Sequence, residues 1–397
     1  MIVLPLCFCA QGFIWWGGCF FHPIALQLQR DINEVNMNAR QQAQQHFDQS
    51  DAPLIVGDVS YCPLSPEQLA TLNADSPYVV EVIGSGLTAE VFHLRVNGQD
   101  YNLKKRRQTA KVANLDGQYS FLNEVQRRRD FEALKANPAT APHFAHIVPT
   151  LYADYRLGIL LSPWIDGQHI QTLTPDLMEQ LLVTLEACEA HGLMEWDLCS
   201  GNMLVDSDNQ LWLFDFGYMY PFDPLREFNS NGTQDPIFHA VERFETRFFF
   251  GWLLSNALTE NQQLTLFRQL KQRAVASYQR KMHWLHTQQA TSPVLAHYRQ
   301  IIARWQTALS SEHAFVHLFQ LEAFRSHVLD IEDDLHGQSC TPLTLKRIDY
   351  VLDVIANDYP NIAQHGGLFY ANRGKSATQL TDDYQRKREL AQQYQLR

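Results

Sequence analysis

Between residues 79 and 105, apolar and polar positions alternate in three bursts, VVEVI, AEVFHLRV and DYNLKK, separated by GSGLT and by a turn built on Asn-Gly. A period of two marks half-buried strands, and Asn-Gly between apolar runs is a strong hairpin signal, so the stretch predicts three antiparallel strands. The period lengthens in SFLNEVQRRRDFEALKA (120–136), where Phe121, Leu122, Val125, Phe131 and Leu134 supply a broad apolar face and Arg127 to Arg129 its wet side. Further strands are expected at 147–152 and 157–162. TPDLMEQLLVTLEACEAHG (174–192) predicts a helix with Thr174 as N-cap, Pro175 at its first position and Gly192 beyond its end. Leu177, Leu181, Leu185 and Cys188 share one face of it. Two short strands follow, NMLVD and LWLFDF, across the turn SDNQ, and from about residue 238 the apolar spacing is helical.

Upstream, residues 30–52 are polar and rich in Gln and Asn, and PLSPEQLATL (63–72) reads as a capped helix with Ser65 before Pro66. The core is expected to begin near Tyr78. A chain of 397 residues exceeds one hydrophobic core, which favours two. The expected divisions are an apolar N-terminal segment (1–36), an extension (37–78), a β-rich part with one major helix (79–165) and a larger helical part (166–397). The fold class is therefore α+β.

Composition adds three constraints. A formal charge of −11 speaks against wholesale nucleic-acid binding, which needs a basic footprint. Seven cysteines without regular spacing form no disulfide framework or paired zinc motif, so a reducing, cytoplasmic setting is expected. The first 29 residues carry no Asp, Glu, Lys or Arg. Pro5, Pro23 and several glycines weaken a spanning helix there, leaving packing, peripheral membrane contact or an overlong gene start (Met37 being a second candidate start) ahead of a true anchor.

The candidate chemistry follows from spacing. Gly84, Ser85 and Gly86 open GSGLTAEV, which fits a phosphate-cradling G-x-G-x-x-G-x-V loop through Val91, except that Ala89 replaces the third Gly; alone, the match serves equally as a hairpin turn. Lys104 on the third strand has the polarity to grip phosphates, and Glu124 on the helix is placed to pair with it. Asp197 and Asn202 stand five apart in MEWDLCSGN, and Asp215-Phe216-Gly217 follows the next hairpin. Moving a phosphoryl group needs a carboxylate facing the acceptor hydroxyl and oxygen ligands for Mg²⁺; Asp197 fits the first role, Asn202 and Asp215 the second.

These motifs, with NLK, FLNEV, GILLSPWIDG, HGLMEWDLCSGN and FDFG, make residues 79–220 resemble the protein-kinase-like superfamily, which includes eukaryotic-type protein kinases and the aminoglycoside and choline phosphotransferases. The resemblance implies a two-lobed fold, a small antiparallel β lobe and a larger helical one, and ATP and Mg²⁺ as cofactors. It also implies that Pro163 to Ile165 lie at the adenine edge, with Trp164 or Ile165 donating, since Pro163 has no N–H. The expected activity is transfer of the γ-phosphate to a hydroxyl, with an atypical bacterial-type protein kinase ahead of a small-molecule kinase or a nucleotide-binding pseudokinase. The departures are specific. Glu195 stands where the family usually has His and Trp196 where many regulated kinases have Arg, no A-P-E follows, and Cys199 takes the place of a loop lysine. Activation-loop phosphorylation is thus not expected by the usual route, and Glu195 is expected to face solvent or a cation.

Overall fold

The computed structural model describes residues 37–84 and 86–396, so Ser85 and the apolar segment 1–36 lie outside the described residues. The chain divides into two compact units, Met1–Ala43 and Gln44–Arg397. Helix α1 covers Ala39–Gln49, within the polar stretch.

The second unit is α+β. Its largest sheet has six antiparallel strands in the order β1-β5-β6-β4-β3-β2, formed by β1 (Ile55–Gly57), β2 (Val79–Ile83), β3 (Ala89–Val96), β4 (Gln99–Arg106), β5 (Tyr152–Asp154) and β6 (Ile159–Pro163). Asn97 and Gly98 join β3 to β4, both at positive φ (53° and 81°), as a two-residue hairpin turn requires. Helix α2 (Pro66–Thr71), closed by a Ser65–Gln68 capping box, places Leu69 with Phe92, Leu94, Leu103 and Leu161 on one side of the sheet. Helix α3 (Leu115–Ala136) places Phe121, Leu122 and Val125 with Leu54, Val56 and Leu160 on the other. Alternation along β4 thus turns Leu103 to one face and Lys104 to the face that α3 covers.

After the short strand β7 (Gly167–Gln168), helix α4 (Pro175–Ala190) is capped by Thr174, whose side chain accepts from the Leu177 N–H at 3.3 Å. Leu177, Leu181, Leu185 and Cys188 are all buried. Strands β8 (Leu193–Glu195), β9 (Met203–Asp206), β10 (Leu211–Leu213) and β11 (Met219–Pro221) form two small antiparallel pairings, β9 with β10 and β8 with β11. Beyond them, α5 (Ala240–Phe244) runs through a π turn (Glu245–Phe249) into α6 (Phe250–Ser255). The remaining helices are α7 (Glu260–Thr287), α8 (Ser292–Leu309), α9 (Glu312–Gly337), α10 (Pro342–Gln364) and α11 (Ala377–Gln393).

Three expectations are corrected. The strand expected at 147–152 reduces to an isolated bridge from Ile147 to Leu213, and pairing begins at Tyr152; the next strand starts at Ile159. Residues 44–78 are no mere extension, because Leu54, Val56, Leu69 and Leu72 are core residues and β1 is an edge strand of the sheet. Arg127 and Arg128 are buried rather than wet, and only Arg129 is exposed (58%). Among the described residues no helix is long and apolar enough to cross a membrane.

Helices α4 and α7 are linked by a buried ion pair, Lys281 Nζ to Glu189 Oε2 at 3.0 Å, and the second Glu189 oxygen has no partner among the described residues. Removing one member of such a pair strands a charge, whereas removing both does not. Lys281→Met should lower unfolding stability by about 3–5 kcal/mol, and Lys281→Met with Glu189→Leu should recover most of it. Urea unfolding with an unchanged m-value checks this; equal loss in both variants would refute it.

Candidate functional site

The site begins at Lys104. Its ammonium donates to both Glu124 oxygens at 3.1 Å and lies 3.0 Å from Asp215 Oδ2. Lys104 and Glu124 are both buried. Burial alone would push the Lys104 pKa down, but Asp215 and Glu124 outweigh it and hold the value above normal. Glu124 is fixed in turn by Arg128, whose Nη2 donates to it at 3.1 Å while Nη1 donates to Val148 O at 3.1 Å. This explains the burial of Arg128, whose guanidinium also lies 5.1 Å from the Phe216 ring centroid.

Asp215 sits at φ +66°, a left-handed conformation that Asp tolerates better than most residues. Its side chain is 38% exposed. Desolvation raises its pKa, and the Lys104 charge more than reverses that, so the carboxyl ends below its usual range. Asn123, one residue before Glu124 on α3, clamps the segment that follows: its amide donates to Phe216 O (3.1 Å), Gly217 O (3.1 Å) and Met219 O (2.8 Å). Phe216 is buried, 4.8 Å from Phe131. A Cβ on Gly217 would lie 3.0 Å from Ser120 Cβ, so the close approach of this segment to α3 favours glycine.

Asp197 and Asn202 are brought together as their spacing implied. Asn202 Nδ2 donates to Asp197 O at 2.8 Å and lies 3.5 Å from Asp197 Oδ2. The Phe214 N–H donates to Asn202 O at 3.2 Å, which sets Asn202 beside the strand end that carries Asp215. The Asn202 amide oxygen accepts no hydrogen bond among the described residues. For Mg²⁺ this donor set fits: one carboxylate and one amide oxygen leave the remaining positions to phosphate and water, the usual arrangement for that ion. Among the described residues no group of three or more His, Cys, Asp or Glu side chains forms a metal cluster.

Around the turn after β2, Gly84 has open space where a Cβ would project, while a Cβ on Gly86 would lie 2.2 Å from Ala89 O. Arg107, unforeseen in the sequence, donates from Nε to Gly86 O at 3.1 Å and pins the turn. Val91 is the cross-strand partner of Lys104 and shares its face. At the end of β6, the Trp164 N–H is already given to Asp100 O at 3.3 Å, and the indole stacks on His93 at 3.8 Å. Of the two expected donors, Trp164 is thereby engaged, which leaves the amide of Ile165.

Glu195 contradicts its expectation. It is buried at 6% exposure and accepts the Asp197 N–H on Oε1 at 2.7 Å; among the described residues it meets no cation and its Oε2 has no partner. Burial drives its carboxyl well above the usual range; Asp197 and Asp215 add to this, and the Asp197 N–H bond opposes it. Trp196 packs its ring 5.0 Å from Phe238 and donates Nε1 to Ser230 Oγ at 2.9 Å. Its carbonyl accepts from Arg243 Nε at 2.9 Å. Cys199 caps a short 3-10 turn, and burial raises its thiol pKa well above normal, which suits a loop residue and not a nucleophile.

Sequence reasoning also missed Arg247 of the π turn. Its Nε donates to Asp197 Oδ1 at 2.9 Å, and its Nη1 bonds Asp330 of α9. No local pattern joins residues 50 and 83 positions apart; only the helical phase of VERFETRFFF, with charges set among aromatics, carried a trace of it. No family model matches the chain, and no curated protein matches it.

A carboxyl whose folded pKa is raised contributes stability that is complete below its unfolded value, near 4.5, and is lost as pH rises through the folded value. Glu195→Gln removes that loss. Its melting temperature relative to the wild type should therefore climb as pH increases from about 4.5. Thermal melts across the range check this, and a constant offset would show Glu195 ionised throughout.

Proposed function

We propose that the chain is an ATP- and Mg²⁺-dependent phosphotransferase of two-lobed, protein-kinase-like fold that moves the γ-phosphate to a hydroxyl. The observation that carries the reading is the convergence on one place of Lys104, held by Glu124 and 3.0 Å from Asp215, with Asp197 bonded to Asn202. The order of the strands β5-β6-β4-β3-β2, with α3 beside Lys104, supports the same reading.

Lys104 would position the nucleotide phosphates beneath the turn of Gly84 and Gly86, with Val91 against the base and Ile165 donating at its edge. Asp197 orients the acceptor hydroxyl and takes its proton. Asn202 and Asp215 would hold Mg²⁺, which neutralises phosphate charge when bound. Binding one site tightly stabilises the folded state by about 2.7 kcal/mol at a hundredfold excess over Kd. A protein hydroxyl is the first acceptor class to test, because the helices beyond residue 240 provide surface that nucleotide binding does not require.

Two variants separate binding from turnover. Asp215→Ala should lose the Mg²⁺-dependent part of the thermal stabilisation by ATP. Asp197→Asn should keep that stabilisation while transfer from γ-labelled ATP falls about 10²–10⁴-fold. The label is followed into protein and metabolite fractions. Undiminished stabilisation in Asp215→Ala, or undiminished transfer in Asp197→Asn, would overturn the corresponding role; binding without any transfer would favour a pseudokinase.

A further inference from the structure

The loop that carries Asp197 brings no positive charge of its own: residues 194–202 contain no Lys, Arg or His. The cation beside Asp197 arrives from elsewhere in the chain. Arg247 projects from the π turn Glu245–Phe249, a distortion often found at functional sites because its wider turn re-aims a side chain. Its three nitrogens are used unequally. Nε donates to Asp197 Oδ1 at 2.9 Å, and Nη1 bonds Asp330 and lies 3.8 Å from Asp334. Nη2 donates to no group among the described residues and is not enclosed. The side chain is 19% exposed and that of Asp197 23%, so neither member of the pair is sealed from solvent.

The guanidinium is held firmly. Asp330 is shared with Arg347, whose Nε lies 2.8 Å from Asp330 Oδ2 and whose Nη2 donates to Thr246 O at 3.0 Å, one residue before Arg247. Burial would weaken the charge on Arg247, but Asp330, Asp197, Asp334 and Asp333 together keep its pKa well above normal. A fixed cation with one free N–H arm, beside the carboxylate that meets the acceptor, is suited to a group whose negative charge must be stabilised during transfer.

We propose that Arg247 is the in-chain arginine of phosphoryl transfer, fixing Asp197 through Nε and stabilising the transferring phosphoryl group through Nη2. The assignment rests on the phosphotransferase reading above. In the step, the acceptor oxygen forms a bond to the γ-phosphorus as its proton passes to Asp197. The bond from that phosphorus to the β–γ bridging oxygen breaks, and its electron pair leaves on ADP. Arg247 exchanges no proton; its charge faces the phosphoryl oxygens, while Asp197 Oδ2, which Arg247 does not engage and Asn202 Nδ2 approaches only to 3.5 Å, is the oxygen that meets the hydroxyl.

The test uses the full chain with γ-labelled ATP and Mg²⁺. Arg247→Ala should lower kcat about 10²–10³-fold while the Kd for ATP·Mg²⁺ stays within about threefold. Sub-denaturing guanidinium should restore part of the rate in Arg247→Ala and none in Asp197→Asn. Arg247→Lys, which keeps a point charge but not the two-armed geometry, should retain the fold and lose at least about tenfold in kcat; it is the variant read if Arg247→Ala does not fold. A kcat at parity with an active wild type, or a lost rate that guanidinium does not restore in a folded Arg247→Ala, overturns this assignment alone. A wild type that transfers no phosphate overturns it together with the reading on which it rests.

Discussion

An ammonium withdrawn from water keeps its proton only where carboxylates surround it, and Lys104 meets that condition with two: Glu124 from α3 and Asp215 from beyond β10. Much of the surrounding packing follows from holding those three groups together. Helix α3 must lie against the Lys104 face of the sheet, and Phe121, Leu122 and Val125 fasten it there. Asn123 must hold the backbone after Asp215, and Arg128 must neutralise what Lys104 leaves of Glu124. Glu195 shows the opposite case, a buried carboxyl that meets no cation among the described residues and whose pKa burial drives well above the usual range.

The helices beyond residue 240 belong to the same electrostatic structure. Asp330 and Asp333 of α9 bind Arg347, Arg247 and Arg243, and two of these arginines bond directly to the segment of Trp196 and Asp197. Asp330, Arg347 and Arg243 are withdrawn from solvent, so each of them left alone would be costly, whereas Asp333 is half exposed. This gives the distant helices a physical connection to the Asp197 segment: displacing α9 would change the surroundings of Asp197 without touching the sheet.

Much of the secondary structure was legible because it rests on local rules. The Asn97–Gly98 hairpin, the Thr174 cap and the β9–β10 turn each declare themselves within a few residues. The Lys104–Glu124 and Asp197–Asn202 associations were legible through spacing. What the sequence hid were contacts that no motif or spacing rule marks. Arg128 looked wet because three consecutive arginines usually are, yet its aliphatic stem lies in the core and its head has Glu124 and Val148. Strand β1 was missed because a three-residue edge strand has no period to read, and Arg247 because nothing local distinguishes a gripping arginine from a solvated one.

The π turn at Glu245–Phe249 has one consequence for the history of such a chain. A π turn accommodates one residue more than an α turn, so the segment from α5 to α6 has the form of a regular helix that has gained a single codon. Each residue advances an α-helix by about 100°. One inserted residue is therefore enough to swing a side chain from a neighbouring groove onto Asp197, and one deletion is enough to swing it away, so a new pairing of this kind can arise in a single genetic event while the helix on either side continues unbroken.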